Sequence, residues 1–121
     1  MRTLRNRKGA GMLLLNEKLA KPIPSLMADE VTSASDPMAY VRFFTVRGWS
    51  WWLLALDRES LIGLSYVVAP GEAICNGEIG TVDLSELAEL EVMRGLGVER
   101  DTSFEPSRQS VICGEEVKHA K

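Results

Sequence analysis

The chain has 121 residues, 45% of them apolar and 26% charged, with a formal net charge of −3. A length of this order suits one domain that buries roughly two-thirds of its unfolded surface. Its apolar content excludes a disordered acidic tail, and its length leaves little room for a cofactor domain beside a substrate domain. The net charge averages two unlike parts. Residues 1–8 carry Arg2, Arg5, Arg7 and Lys8 and no acid, a charge of +4, whereas the remaining 113 residues hold ten bases and seventeen acids, −7. Most of that excess lies in residues 72–105, where nine acids face only Arg94 and Arg100.

In chain order, residues 1–11 end in Gly9-Ala10-Gly11 and read as a flexible basic arm that Met12, as an alternative start, would make dispensable. Residues 12–20 read as a short helix stopped by Pro22 and Pro24, followed by a polar connector over 25–37 with room for one helical turn. Aromatic and branched residues then predict strands over 40–46 and 50–56, joined by a hairpin through Arg47-Gly48-Trp49, and a third over 62–68. A fourth covers 78–82. Asp83 and Glu86 in capping-box spacing open a helix over 84–94, with Leu84, Leu87, Leu90 and Met93 as its buried stripe and Gly95 as its cap. A last strand covers 98–104, and residues 106–121 read as a polar tail. The sum is a single α+β domain over 12–105, an antiparallel sheet of about five strands with helices on one side.

The chemistry-bearing residues are few. Glu99 and Asp101 alternate with Arg100, so both acids share one face; they are either a carboxylate pair or part of a structural ion-pair arrangement in which Arg100 ties the strand to an acid on a neighbouring element. A metal-dependent or hydrolytic enzyme needs Asp57, Glu78, Glu99 and Asp101 to converge in one pocket. Six of the eight aromatic residues fall between positions 40 and 52, with Arg42 and Arg47 among them. Such a hairpin is either core or a contact patch, and alternation sends Trp49 and Trp51 to one face and Trp52, Leu54 and Leu56 to the other. A nucleic-acid-binding reading would use the basic arm with Arg42 and Arg47 against those rings. Cys75 and Cys113 read as thiols, His119 falls in the tail, and neither zinc spacing, a nucleophile elbow nor a phosphate loop is present. No apolar run reaches the length of a membrane span. These features imply a cytoplasmic protein with no cofactor, no catalytic residue and no metal ligand.

The passages Val41-Arg42-Phe43-Phe44, Trp51 to Asp57, Ile62-Gly63-Leu64, Glu78 to Leu87 and Gly97 to Asp101 with Phe104 resemble the bacterial domain of unknown function family 2958. The resemblance spans about residues 12–105 and is most specific at Gly80 to Leu87 and Glu99-Arg100-Asp101. The loop at 70–76 is longer and more apolar than the family's glycine-rich connection, and the basic arm and the tail lie outside the pattern. The resemblance implies no assigned reaction. It implies a setting, cargo of plasmids, phages and integrative elements, in which small acidic proteins act as anti-CRISPR or anti-restriction factors. The expectation is a non-enzymatic accessory inhibitor that binds the basic surface of a host or defence protein. Its contact residues would be Glu78, Glu86, Glu89, Glu99 and Asp101 on the acidic face, with Trp49, Trp51 and Arg47 supplying aromatic and arginine contacts.

Overall fold

The computed structural model describes residues 2–8, 11–28, 31 and 35–119, with side chains to residue 114. In chain order the elements are β1 (Leu4–Arg5), β2 (Leu13–Leu15), α1 (Glu17–Ala20), β3 (Met38–Ala39), β4 (Val41–Phe44), β5 (Ser50–Leu56) and β6 (Ile62–Val68). After a 3-10 turn at Ile74–Asn76 come β7 (Glu78–Asp83), α2 (Leu84–Glu89), β8 (Glu91–Met93), β9 (Leu96–Gly97) and β10 (Glu99–Arg100). The chain closes with β11 (Ser107–Arg108) and α3 (Gln109–His119). The main sheet is antiparallel and ordered β10-β4-β5-β6-β7. The α+β class and the five expected strands are therefore present.

Strand β5 lies at the centre, and all seven of its residues are buried. That explains its sequence: a strand covered on both faces reads as a continuous apolar run, SWWLLAL, without polar alternation. On one face Phe43, Trp51, Leu53 and Val98 pack against Leu14, Leu15 and the α2 residues Leu84 and Leu87. On the other, Trp52, Leu54, Tyr66 and Val68 pack with Ala39 and Ile112 of α3. The sheet is thus covered on both sides rather than one, which corrects the one-sided expectation. A register shift between Leu53 and Ala55 also turns Leu56 onto the Trp51 face, opposite to simple alternation.

The basic arm is part of this fold. Leu4 is only 6% exposed and pairs with Leu15 through β1–β2. Asn6 is buried, its side-chain amide donating to the Val98 carbonyl at 2.7 Å. Gly97 is required there, because a Cβ would stand 2.6 Å from the Leu90 carbonyl oxygen and 2.9 Å from Asn6. The helix expected over 12–20 shortens to α1, capped by Asn16 accepting from the Leu19 amide, since Leu13–Leu15 are claimed by β2. The helix expected over 84–94 ends at Glu89, and Gly95, at φ +76, turns β8 back onto β9. Leu90 and Met93 consequently leave the buried stripe. The tail also folds. Strand β11 pairs with β3, and α3 starts where Asp36 accepts from the Ser110 amide and hydroxyl. The connector over 25–37 does turn, the Ala28 amide donating to the Ser25 carbonyl at 3.2 Å and the Val31 amide to the Ala28 carbonyl at 2.9 Å, while residues 29, 30 and 32–34 lie outside the described residues.

Candidate functional site

The hairpin from β4 to β5 is closed by the Thr45 amide donating to the Trp49 carbonyl at 3.0 Å and the Gly48 amide to the Thr45 carbonyl at 3.0 Å. Gly48 has φ +101, a conformation that side-chain-bearing residues rarely adopt. This turn delivers Trp49 one step above Trp51 on the same face, and the two indoles stack at 5.9 Å and 13°. Trp51 is buried, while Trp49 is 38% exposed, so its outer surface is open to solvent. Arg47 is exposed in the same turn.

The cross-strand row Phe43, Trp51, Val67, Glu78 runs from the interior of the sheet to the edge strand β7. Side chains in one row share a face, so Glu78 stands on the Trp49–Trp51 side. The connection from β6 to β7 arches over the same end. Its 3-10 turn is pinned by the Tyr66 hydroxyl, which donates to the Ile74 carbonyl and accepts from the Gly77 amide at 2.9 Å. Burial pushes that hydroxyl's pKa up, which keeps it in its donating form. Gly77 must lack a side chain, since a Cβ would lie 2.6 Å from the Val67 carbonyl oxygen. The arch brings exposed Glu72 and Asn76 to the groove. Trp49, Val67, Ala69, Glu72, Asn76 and Glu78 together line a groove of about 430 Å³.

The other expected contact residues do not join it. Strand β7 carries the chain roughly 17 Å from Glu78 to Asp83 before α2 begins, so Glu86 and Glu89 lie at the opposite end of the sheet. Glu89 is paired with Arg7 at 3.2 Å, side chains 56% and 73% exposed, and Arg2 donates to Ser85 at 2.8 Å. The basic arm therefore shields part of the acidic helix. An exposed pair of this kind contributes at most about 1 kcal/mol. Glu99 and Asp101 sit at the far edge, four strand spacings and roughly 19 Å from β7. Glu72 is the residue that sequence reasoning missed; it counted among the acids, but only the pinned arch shows where it points.

Asp101 is the structural half of an ion pair. Its Oδ2 accepts from Arg42 at 3.0 Å, and Arg42 also donates to Ser50 at 2.9 Å. The guanidinium carbon lies 5.0 Å from the Phe44 ring centroid and 5.3 Å from that of Trp52. Burial pushes the Asp101 carboxyl up, but the Ser103 hydroxyl and the Arg42 guanidinium together hold it below its usual value. Arg100, expected to make the ion pair, instead donates to the Leu13 carbonyl at 3.0 Å. Arg42, Ser50 and Asp101 line a second cavity, of about 470 Å³, with Trp52, Glu72, Phe104 and Ile112 on its walls.

The four carboxylates of the enzyme reading do not converge. Asp57 lies at the opposite end of β5 from Ser50, in a turn where the Ser60 hydroxyl and the Glu59 amide lower its pKa, and Glu78 and Glu99 occupy opposite edges. Among the described residues, no three His, Cys, Asp or Glu side chains are grouped to hold a metal ion. Cys75 and Cys113 form no disulfide, and no described helix is long and apolar enough to cross a membrane.

A family model described as "Protein of unknown function (DUF2958)" matches residues 13–113, so the chain belongs to that family. The match extends beyond residue 105 into α3, which places the start of the last helix inside the family's pattern. No curated protein and no solved structure matches the chain.

Proposed function

We propose that this DUF2958 protein is a non-enzymatic binding protein that takes basic side chains of a partner protein into the Trp49–Glu72–Glu78 groove. The observation that carries the reading is the open indole face of Trp49 beside two exposed carboxylates. An aromatic face attracts Arg or Lys through its quadrupole, and carboxylates add charge-assisted hydrogen bonds. Tryptophan at a partly exposed, stacked position also provides rigid contact area, as hot-spot residues do.

The setting implied by the family resemblance completes the proposal: an accessory protein of a mobile element that inhibits a host or defence protein. Proteins that handle nucleic acid carry basic surfaces, and such a surface complements this groove. Anti-CRISPR or anti-restriction activity is the form this inhibition would take. The rival nucleic-acid reading keeps the exposed Arg47 but has Arg7 paired with Glu89 and Arg42 with Asp101, which favours the groove.

The test is capture from a bacterial lysate by the wild-type chain, by Trp49→Ala with Glu78→Lys, and by Glu86→Lys. The expected result is a basic protein retained by wild type and by Glu86→Lys, released as salt rises, and lost with the double variant. Equal capture by the groove variant would remove the groove from the account.

A further inference from the structure

We propose that the partner also extends the sheet, adding an antiparallel strand along the outer edge of β7 with basic residues opposite Glu78 and Asp83. This rests on the basic-partner reading above and specifies the form in which the basic residues arrive.

Strand β7 is six residues long and pairs with β6 at every position from Glu78 to Asp83 without a register shift. Among the described residues nothing pairs with its other side. The opposite edge of the sheet, β10, has only two residues. Exposed edges of regular strands are normally blunted by proline, lysine, a bulge or a covering element, because their outward amides and carbonyls template further pairing. In β7, Glu-Ile-Gly-Thr-Val-Asp, there is no proline, lysine or bulge, and among the described residues no element pairs over its outer edge. Ile79 is 50% exposed, and a side chain at Gly80 would meet nothing within 4 Å. The edge is therefore open and flat enough for strand addition.

Charge decides between occupants. If a second copy of the chain paired two-fold about the centre of β7, only residues of one face could stand opposite each other, so Glu78 would meet Val82 or Asp83 would meet Ile79, and neither carboxylate would gain a charge partner. A segment with Lys or Arg opposite Glu78 and Asp83 gives each carboxylate an opposite charge, which self-pairing does not. Glu78 ends the row containing Trp51 and Val67, so the next position outward lies about 4.8 Å away on the same face. A basic side chain there reaches the groove beside Trp49, and strand addition and groove occupancy become one binding event.

The probe is an end-blocked, fluorescein-labelled peptide Lys-Val-Thr-Val-Thr-Lys, titrated against the full chain by anisotropy, with amide hydrogen exchange of β7 as second readout. The expected result is binding that slows exchange of β7 amides. A proline at the peptide's central threonine should weaken binding about tenfold or more by removing a ladder donor. Glu78→Lys should lose the lysine peptide and take up the same peptide ended in glutamate. Equal binding of the proline peptide with unprotected β7 amides would overturn strand addition while leaving the groove standing. Failure of the lysine peptide to bind would also overturn it, and the lysate comparison then decides the groove separately. Concentration-dependent protection of β7 without peptide would assign the edge to a second copy and overturn the proposal.

Discussion

Replacing Trp52 with alanine is expected to destabilise the protein by about 3–5 kcal/mol, the range for emptying a buried tryptophan site. Trp52 is buried on the α3 side of the central strand, with its ring 5.9 Å from Tyr66 and in contact range of the Arg42 guanidinium. Its removal would merge new empty space with the cavity beside Arg42 and take the largest ring from the cluster that includes Ile112 of α3. A loss of this size is a large part of the stability of an ordinary domain. Trp49→Ala is the internal contrast. Its ring is partly exposed and only stacked on Trp51, so it should cost about 1 kcal/mol. Chemical denaturation of the two variants checks the pair; similar losses would mean that the aromatic hairpin does not divide into a core and a contact residue.

Starting the chain at Met12 is expected to cost about 2–3 kcal/mol. The loss is set by the burial of Leu4, about 2 kcal/mol, and the Asn6 bond to the Val98 carbonyl, about 1 kcal/mol. The truncation also frees Glu89 from Arg7, which restores acidic charge on α2 without touching the groove. Thermal unfolding should show a midpoint lowered by roughly 10 °C. An unchanged midpoint would return the segment to the status of a dispensable arm. Partner binding should survive the deletion, since the groove draws no residue from the first eleven positions.

The sheet was legible because its signals are local. Period, aromatic content and glycine-bearing turns placed four of the five strands of the main sheet to within a few residues, and Asp83 marked the start of α2. The misreadings share a different cause: partners distant along the chain. Leu4 and Asn6 look like members of a charged arm until Leu15 and Val98 are brought beside them. The start of α3 has no capping residue of its own and is completed by Asp36, seventy-four positions earlier. Leu90 and Met93 keep helical spacing, yet Gly95 and Gly97 make the hairpin β8–β9 the better arrangement. At the candidate site, Trp49, Trp51 and Glu78 could be named from alternation and charge. Glu72 could not, because its position depends on the Tyr66 hydroxyl holding an otherwise featureless loop. The acidic charge of residues 72–105 likewise divides in space into a groove at one end of β7, a helix shielded by the arm, and an ion pair at the far edge.

The most direct test of the groove is a calorimetric titration of the captured partner against wild type, Trp49→Ala, Glu78→Gln, the double variant and Glu86→Gln. Each groove substitution should weaken binding about tenfold or more, and the double variant should lose less than the sum of the two, as side chains gripping the same cation are coupled. Glu86→Gln should bind as wild type does. Full affinity in both single groove variants, or a loss confined to Glu86→Gln, would contradict the account.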